Sequence, residues 1–149
     1  MTTIAIKNGI IAYDSRLTRG DTILDDNYNK KIEQGGVIFF CYGTLTGSDR
    51  LIEAYLNKNI EIPIEANALV IDDNKVWHIG YDPDSEPSHI WKTLIGDRSE
   101  AFGSGEAFAF TAMDMGASAK KAILMAAKRD LYTNDNVNIH RVNNYENSL

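Results

Sequence analysis

The chain has 149 residues, a formal net charge of −6 and a single cysteine. That length suits one domain able to bury about two-thirds of its unfolded surface, and the acidic balance argues against a nucleic-acid backbone as partner. Cys41 has no partner for an internal disulfide. His78, His89 and His140 lack metal-ligand spacing. The apolar runs are too short to span a membrane and no signal-peptide pattern opens the chain, so no cofactor is expected and a reducing cytoplasm is the expected compartment.

Residues 3–7 and 10–14 read as two strands joined by Asn8-Gly9, a type I′ hairpin turn. A two-residue turn fixes the register: Lys7 opposite Ile10, Ile6 opposite Ile11, Ala5 opposite Ala12, Ile4 opposite Tyr13, Thr3 opposite Asp14, and Thr2 opposite Ser15. Asp14 therefore shares a face with Thr3 rather than Thr2. Linking it to Thr2 requires a bend or a third group.

Residues 15–27 are polar and irregular, with a turn at Gly20-Asp21. A strand begins near Lys30-Lys31-Ile32, and Gly35-Gly36 turns it into Val37–Tyr42. Strand alternation lets only one of Lys30 and Lys31 point to a given face. Cys41, within the apolar run from Val37, reads as a buried structural thiol. After Gly43, either Thr46 or Ser48 caps a helix over about 49–58, with Leu51, Ile52 and Tyr55 inward. Backbone amides at such a strand-to-helix turn are candidate oxyanion donors. Pro63 stops that helix. Ala66–Ile71 and Lys75–Gly80 form a hairpin around Asp72-Asp73-Asn74. His89-Ile90-Trp91 is a short strand, and Trp77 and Trp91 read as core or interface anchors.

Ala101-Phe102-Gly103-Ser104-Gly105 is a small-residue turn following a short strand. Glu106–Met115 is a helix ended by Gly116. Ser118 caps a further helix, 119–130, whose stripe is Ala119, Ala122, Ile123, Ala126, Ala127 and Asp130. A carboxylate at the C-terminal end of that stripe is opposed by the helix dipole and by burial, so Asp130 calls for strong partners. Val137–Val142 is the last strand.

The start of the chain carries one chemical option of its own. With Met1 removed, Thr2 holds a hydroxyl beside a free α-amine, a nucleophile and a base on one residue. The amine's pKa of about 7.7–8.0 suits proton transfer near neutrality.

In this order, Thr2-Thr3-Ile4, Ala12-Tyr13-Asp14, Lys31-Ile32, Cys41-Tyr42-Gly43, Ala101-Phe102-Gly103-Ser104-Gly105 and Ala126-Ala127-Lys128-Arg129-Asp130-Leu131-Tyr132-Thr133 resemble the proteasome β-type subunits, particularly the HslV-like peptidases, over residues 2–142. The resemblance implies an α+β fold, the four-layer αββα sandwich of N-terminal-nucleophile hydrolases, here reduced in helix content. It implies Thr2 as nucleophile with its α-amine as base, Lys31 supplying positive charge beside the hydroxyl, and Asp14 holding Lys31. It also implies the Gly43 amide, with Gly47 as fallback, as oxyanion donor, and Ser104, Asp130 and Thr133 as the network that orients the amine. The implied activity is threonine-type peptide hydrolysis in a homo-oligomeric ring, on peptides or unfolded protein. An ATP-dependent unfoldase is an admissible partner, although no terminal segment stands out as its dock. A non-catalytic ring or scaffold of the same fold, and an amidase acting on a small amide, remain open. Three departures accompany the resemblance: an N-terminal hairpin about two residues shorter per strand, a longer stretch from Gly43 to Asp49, and no room for a second long helix at 57–66.

Overall fold

A computed structural model describes residues 1–143 and 145. The chain forms two compact units, one from Met1–Lys30 with Asp97–Leu149, the other from Lys31–Gly96.

In the first unit, β1 (Thr3–Lys7) and β2 (Ile10–Tyr13) make the expected hairpin, and the register is the one the two-residue turn dictates. Asn8 and Gly9 both take positive φ, 51° and 74°, as a type I′ turn requires. β10 (Glu100–Gly103) pairs with β1 and β11 (Asn138–Arg141) pairs with β2, giving an antiparallel sheet of order β10-β1-β2-β11. One face of this sheet carries Ala5, Ala12 and Ala101. These small side chains let α2 (Glu106–Asp114) and α3 (Ala119–Arg129) lie close, and Ala109, Met113, Ala119, Ala122 and Ile123 complete that core. Ser118 caps α3 as expected, its hydroxyl accepting from the Lys121 amide. Residues 15–27 are more ordered than the sequence suggests. β3 (Leu17–Arg19) and β4 (Thr22–Asp25) form a short ribbon around Gly20-Asp21. Ile23 and Leu24 are half exposed, so this ribbon has no buried apolar alternation by which a strand is recognised.

The second unit is an antiparallel meander of β5 (Lys31–Gln34), β6 (Val37–Gly43), β7 (Ala66–Asp72), β8 (Lys75–Tyr81) and β9 (Ile90–Leu94). Its helix, α1 (Leu45–Asn57), packs Leu51, Ile52 and Ala54 onto Phe39, Cys41, Ala68, Val70 and Ile79. Burial pushes the Cys41 thiol up to about 12, consistent with a structural rather than reactive cysteine. The N-cap of α1 is Thr44, not Thr46 or Ser48. Thr44 is the residue with extended backbone just before the helix, and its hydroxyl accepts from the Gly47 amide at 2.9 Å. The long stretch after Gly43 is thus the first turn of a helix. No helix follows α1 before β7, as the shortness of 57–66 requires. Among the described residues, no helix is long and apolar enough to cross a membrane.

Candidate active site

The candidate site is assembled from five segments of the first unit: the chain start, the end of β2, the segment running to Lys30, the turn after β10, and the turn after α3. Strand alternation places Thr3 and Asp14 on the face that carries Ala5 and Ala12, beneath the helices. The pair continues the hairpin ladder. The Asp14 amide donates to the Thr3 carbonyl at 3.3 Å, and the Thr3 amide donates to Asp14 Oδ1 at 3.1 Å.

Asp14 is wholly buried, and its carboxylate gathers four donors. Oδ1 accepts from the Thr3 amide and from Lys30 Nζ at 2.9 Å; Oδ2 accepts from the amides of Arg16 at 3.1 Å and Asn134 at 3.4 Å. Lys30 also donates to the carbonyl oxygen of Met1 at 2.9 Å. It therefore bridges the buried carboxylate and the Met1–Thr2 peptide, and is the third group that the hairpin parity demanded. Lys31, expected in that place, is not there. As the first residue of β5 it shares a strand face with Glu33, and its Nζ lies 3.2 Å from Glu33 Oε1. Lys30 precedes the strand and so escapes its alternation.

Burial lowers the affinity of Lys30 for its proton, while Asp14 opposes that shift. The Met1 α-amine is likewise held below its ordinary value, first by burial and then by the Lys30 charge, with Asp14 and Asp130 pulling the other way. Both carboxylates and the lysine thus act electrostatically on the start of the chain.

Ser104, Asp130 and Thr133 come together on the other side of Thr3. Asp130 caps the end of α3, and its Oδ2 accepts from Ser104 Oγ and Thr133 Oγ1, each at 2.6 Å. Its Oδ1 accepts from the Tyr132 amide at 3.2 Å. The strong partners its position demands are therefore two hydroxyls and an amide. Ser104 is tied back to the chain start, because its amide donates to the Thr2 carbonyl at 3.0 Å. Two glycines make this possible. Gly103 has φ of 99°, and a Cβ there would lie 1.7 Å from the Thr2 carbonyl oxygen; at Gly105 a Cβ would lie 2.7 Å from Thr3 Oγ1. Thr2 itself is 8% exposed.

Gly43 belongs to the second unit, at the end of β6 with φ of 116°, where a Cβ would meet the Glu65 carbonyl oxygen at 2.4 Å. The fallback donor is lost: the Gly47 amide is committed to the Thr44 cap.

Besides Lys30, three residues that the sequence did not single out join the site. Thr3 bonds to Thr133 and to the Gly105 amide. Asn134 supports Asp14 through its amide and the Ser15 amide through its side chain. Arg16 holds Asp26 at 2.7 Å and the Leu131 carbonyl at 2.9 Å. Thr3 carried a signal, since register put it on the face of Asp14; the partners of the other two are set by tertiary packing.

A fold of this kind, with a sheet hairpin that starts at a threonine and two helices laid on its alanine face, is the HslV-like, proteasome β-type fold. Solved structures with that fold match nearly the whole chain. The Thiobacillus denitrificans protein BPH, in complex with epoxomicin, aligns at TM-score 0.65 and 16% identity, over 95% of this chain and 98% of that one. Eukaryotic HslV from Trypanosoma brucei aligns at TM-score 0.65 and 18% identity, over 94% and 98%. A second structure of BPH aligns at 0.62 and 16%, over 96% and 98%. No family model matches the chain, and no curated protein matches its sequence. The α+β, HslV-like fold expected from the sequence is the fold observed.

Proposed function

We propose that this protein is a threonine-type peptidase whose nucleophile is Thr2, exposed as the N-terminal residue by removal of Met1. The observation that carries the reading is the position of Lys30: its ammonium is bonded at once to buried Asp14 and to the carbonyl of the Met1–Thr2 peptide. A scaffold has little use for a buried cation aimed at its own chain start, since desolvation costs on the order of several kcal/mol per ion.

In this reading the Thr2 α-amine takes the proton of the Thr2 hydroxyl as Oγ1 attacks the substrate carbonyl carbon. Lys30 lowers the energy of the developing alkoxide, and Asp14 holds Lys30. The ammonium of Thr2 then passes its proton to the leaving nitrogen as the C–N bond breaks, leaving an acyl-ester on Thr2. Water, deprotonated by the same amine, then attacks the ester carbonyl; the bond from that carbon to Thr2 Oγ1 breaks, releasing the acid, and the ammonium returns its proton to Oγ1. Ser104, Asp130 and Thr133 orient the chain start throughout. The substrate is a peptide or unfolded protein, and the working form is a homo-oligomeric ring in the cytoplasm, with or without an ATP-dependent unfoldase. The fold shared with HslV and with BPH, which was solved with epoxomicin bound, supports this reading.

Intact-mass measurement tests it. The expected protein lacks one methionine and, after treatment with epoxomicin or another electrophilic peptide, carries one adduct that maps to Thr2. Thr2→Ala is expected to lose adduct and peptide cleavage while keeping its assembly. A chain that retains Met1 and takes no adduct would overturn the reading in favour of a catalytically silent ring or scaffold protein.

A further inference from the structure

We propose that Thr3 is a positioning residue for the Thr2 chemistry, joining the Lys30–Asp14 pair to the Asp130 hydroxyl cluster through one amide and one hydroxyl. The inference rests on the threonine-hydrolase reading and adds to it a residue outside its nucleophile, base and charge set.

Thr3 is completely buried beneath α2 and α3. Its hydroxyl therefore cannot meet a substrate, and a buried hydroxyl requires partners. It has two, and their directions are determined. Thr133 Oγ1 donates its one proton to Asp130 Oδ2. The 2.7 Å contact between Thr3 Oγ1 and Thr133 Oγ1 must then be donated by Thr3. Thr3 Oγ1 in turn accepts from the Gly105 amide at 2.9 Å. The chain runs one way, from the Gly105 N–H through Thr3 and Thr133 to Asp130, where the Ser104 hydroxyl also arrives. Meanwhile the Thr3 amide donates to Asp14 Oδ1, the oxygen that holds Lys30.

The consequence falls on Thr2. The peptide unit between Thr2 and Thr3 is held at both polar ends: the Thr2 carbonyl accepts from the Ser104 amide, and the Thr3 N–H donates to Asp14. With the next side chain anchored as well, the direction in which Thr2 leaves its strand is set by three bonds. A displacement of about 1 Å at a reacting group can cost on the order of 100-fold in rate, so the anchor is a rate device more than a binding one.

The test compares wild type with Thr3→Val, which replaces the hydroxyl by a methyl of similar shape, and Thr3→Ser, which keeps it. Labelling of Thr2 by an electrophilic peptide separates the first-order acylation rate from the inhibitor constant, and a fluorogenic peptide separates kcat from KM. Thr3→Val is expected to lower both first-order rates by about 10- to 100-fold with KM and the inhibitor constant changed less than about threefold; Thr3→Ser is expected to stay within about threefold of wild type in all four. Thr3→Ala carries the same test should the valine variant not fold. Unchanged acylation in a folded valine or alanine variant would overturn the role of Thr3 and leave the hydrolase reading intact. Equal losses in valine and serine, or failure of both valine and alanine to fold, would assign Thr3 to stability alone and overturn it too. Absence of adduct in wild type would remove the hydrolase reading and this inference with it.

Discussion

Lys30 Nζ lies 2.9 Å from Asp14 Oδ1, with side chains only 5% and 0% exposed, whereas the adjacent Lys31 pairs with Glu33 at 3.2 Å near the surface. Two neighbouring lysines thus have different surroundings, and only one can supply charge at the chain start. Lys30→Met is expected to slow acylation of Thr2 by on the order of 100-fold or more, the scale of losing one preorganised electrostatic contact. Lys31→Met, which removes a partly solvated surface pair, is expected to change it less than about twofold. Adduct formation followed by mass spectrometry distinguishes them.

The same pair has an asymmetry that stability measurements should expose. If Lys30 is lost, the Asp14 carboxylate keeps the amides of Thr3, Arg16 and Asn134. If Asp14 becomes Asn in the chain that carries Met1, the buried ammonium is left with neutral acceptors alone, the Met1 carbonyl and the side-chain amide oxygen. Asp14→Asn is therefore expected to cost about 3–5 kcal/mol, the range for stranding a buried charge, and Lys30→Met less. Urea unfolding midpoints would check the order; an equal or reversed cost would mean that the amides do not sustain the carboxylate.

Much of this arrangement could be read before any coordinates, and the reasons are local. Asn8-Gly9 admits one hairpin geometry, so the opposition of Thr3 and Asp14 followed from counting. The stripe from Ala119 to Asp130 and its Ser118 cap predicted α3, and the awkward place of Asp130 announced a polar network. The misreadings also have local causes. Alternation separates Lys30 from Lys31 but does not say which faces inward when the strand begins between them. Thr44, Thr46 and Ser48 are three capping residues within five positions, and backbone conformation, invisible in sequence, selects Thr44. The partners of Arg16 and Asn134 depend on where the loop at Asp26 meets the turn after Asp130, a tertiary outcome.

Titration offers a third check on the chain that still carries Met1. Its α-amine is held below the ordinary 8.0, chiefly by burial and next by Lys30. Because the folded value is the lower one, the amine's contribution to stability is present above the unfolded value and is lost as the pH falls through the folded value. Lys30→Met removes a lowering cause and is expected to raise the amine's pKa; Asp130→Asn removes a raising cause and is expected to lower it further. NMR titration of amine-labelled protein would read both directions, and a shift of the same sign in the two variants would contradict the geometry.

Gly20, Gly103 and Gly105 form a graded series in which backbone and contact effects separate. Gly20, in the β3–β4 ribbon, has φ of 57°, and a Cβ added there would meet nothing within 4 Å, so Gly20→Ala bears only the left-handed backbone cost of about 1–2 kcal/mol. Gly105 does not have a positive φ, but its Cβ would lie 2.7 Å from Thr3 Oγ1 and 2.9 Å from the Ala126 Cβ. Gly105→Ala is expected to cost about 1–3 kcal/mol by overpacking and, because the crowded atom is the Thr3 hydroxyl, to slow acylation beyond what the stability loss accounts for. Gly103 combines both penalties. With φ of 99° and a Cβ only 1.7 Å from the Thr2 carbonyl oxygen, Gly103→Ala must push the chain start away from Ser104. It is expected to be the most damaging of the three, losing Thr2 labelling even in any fraction that folds. Thermal unfolding and labelling of the three variants side by side would check the order. A Gly103→Ala protein that folds and labels like wild type would show that the Thr2 carbonyl is not held where the Ser104 amide meets it.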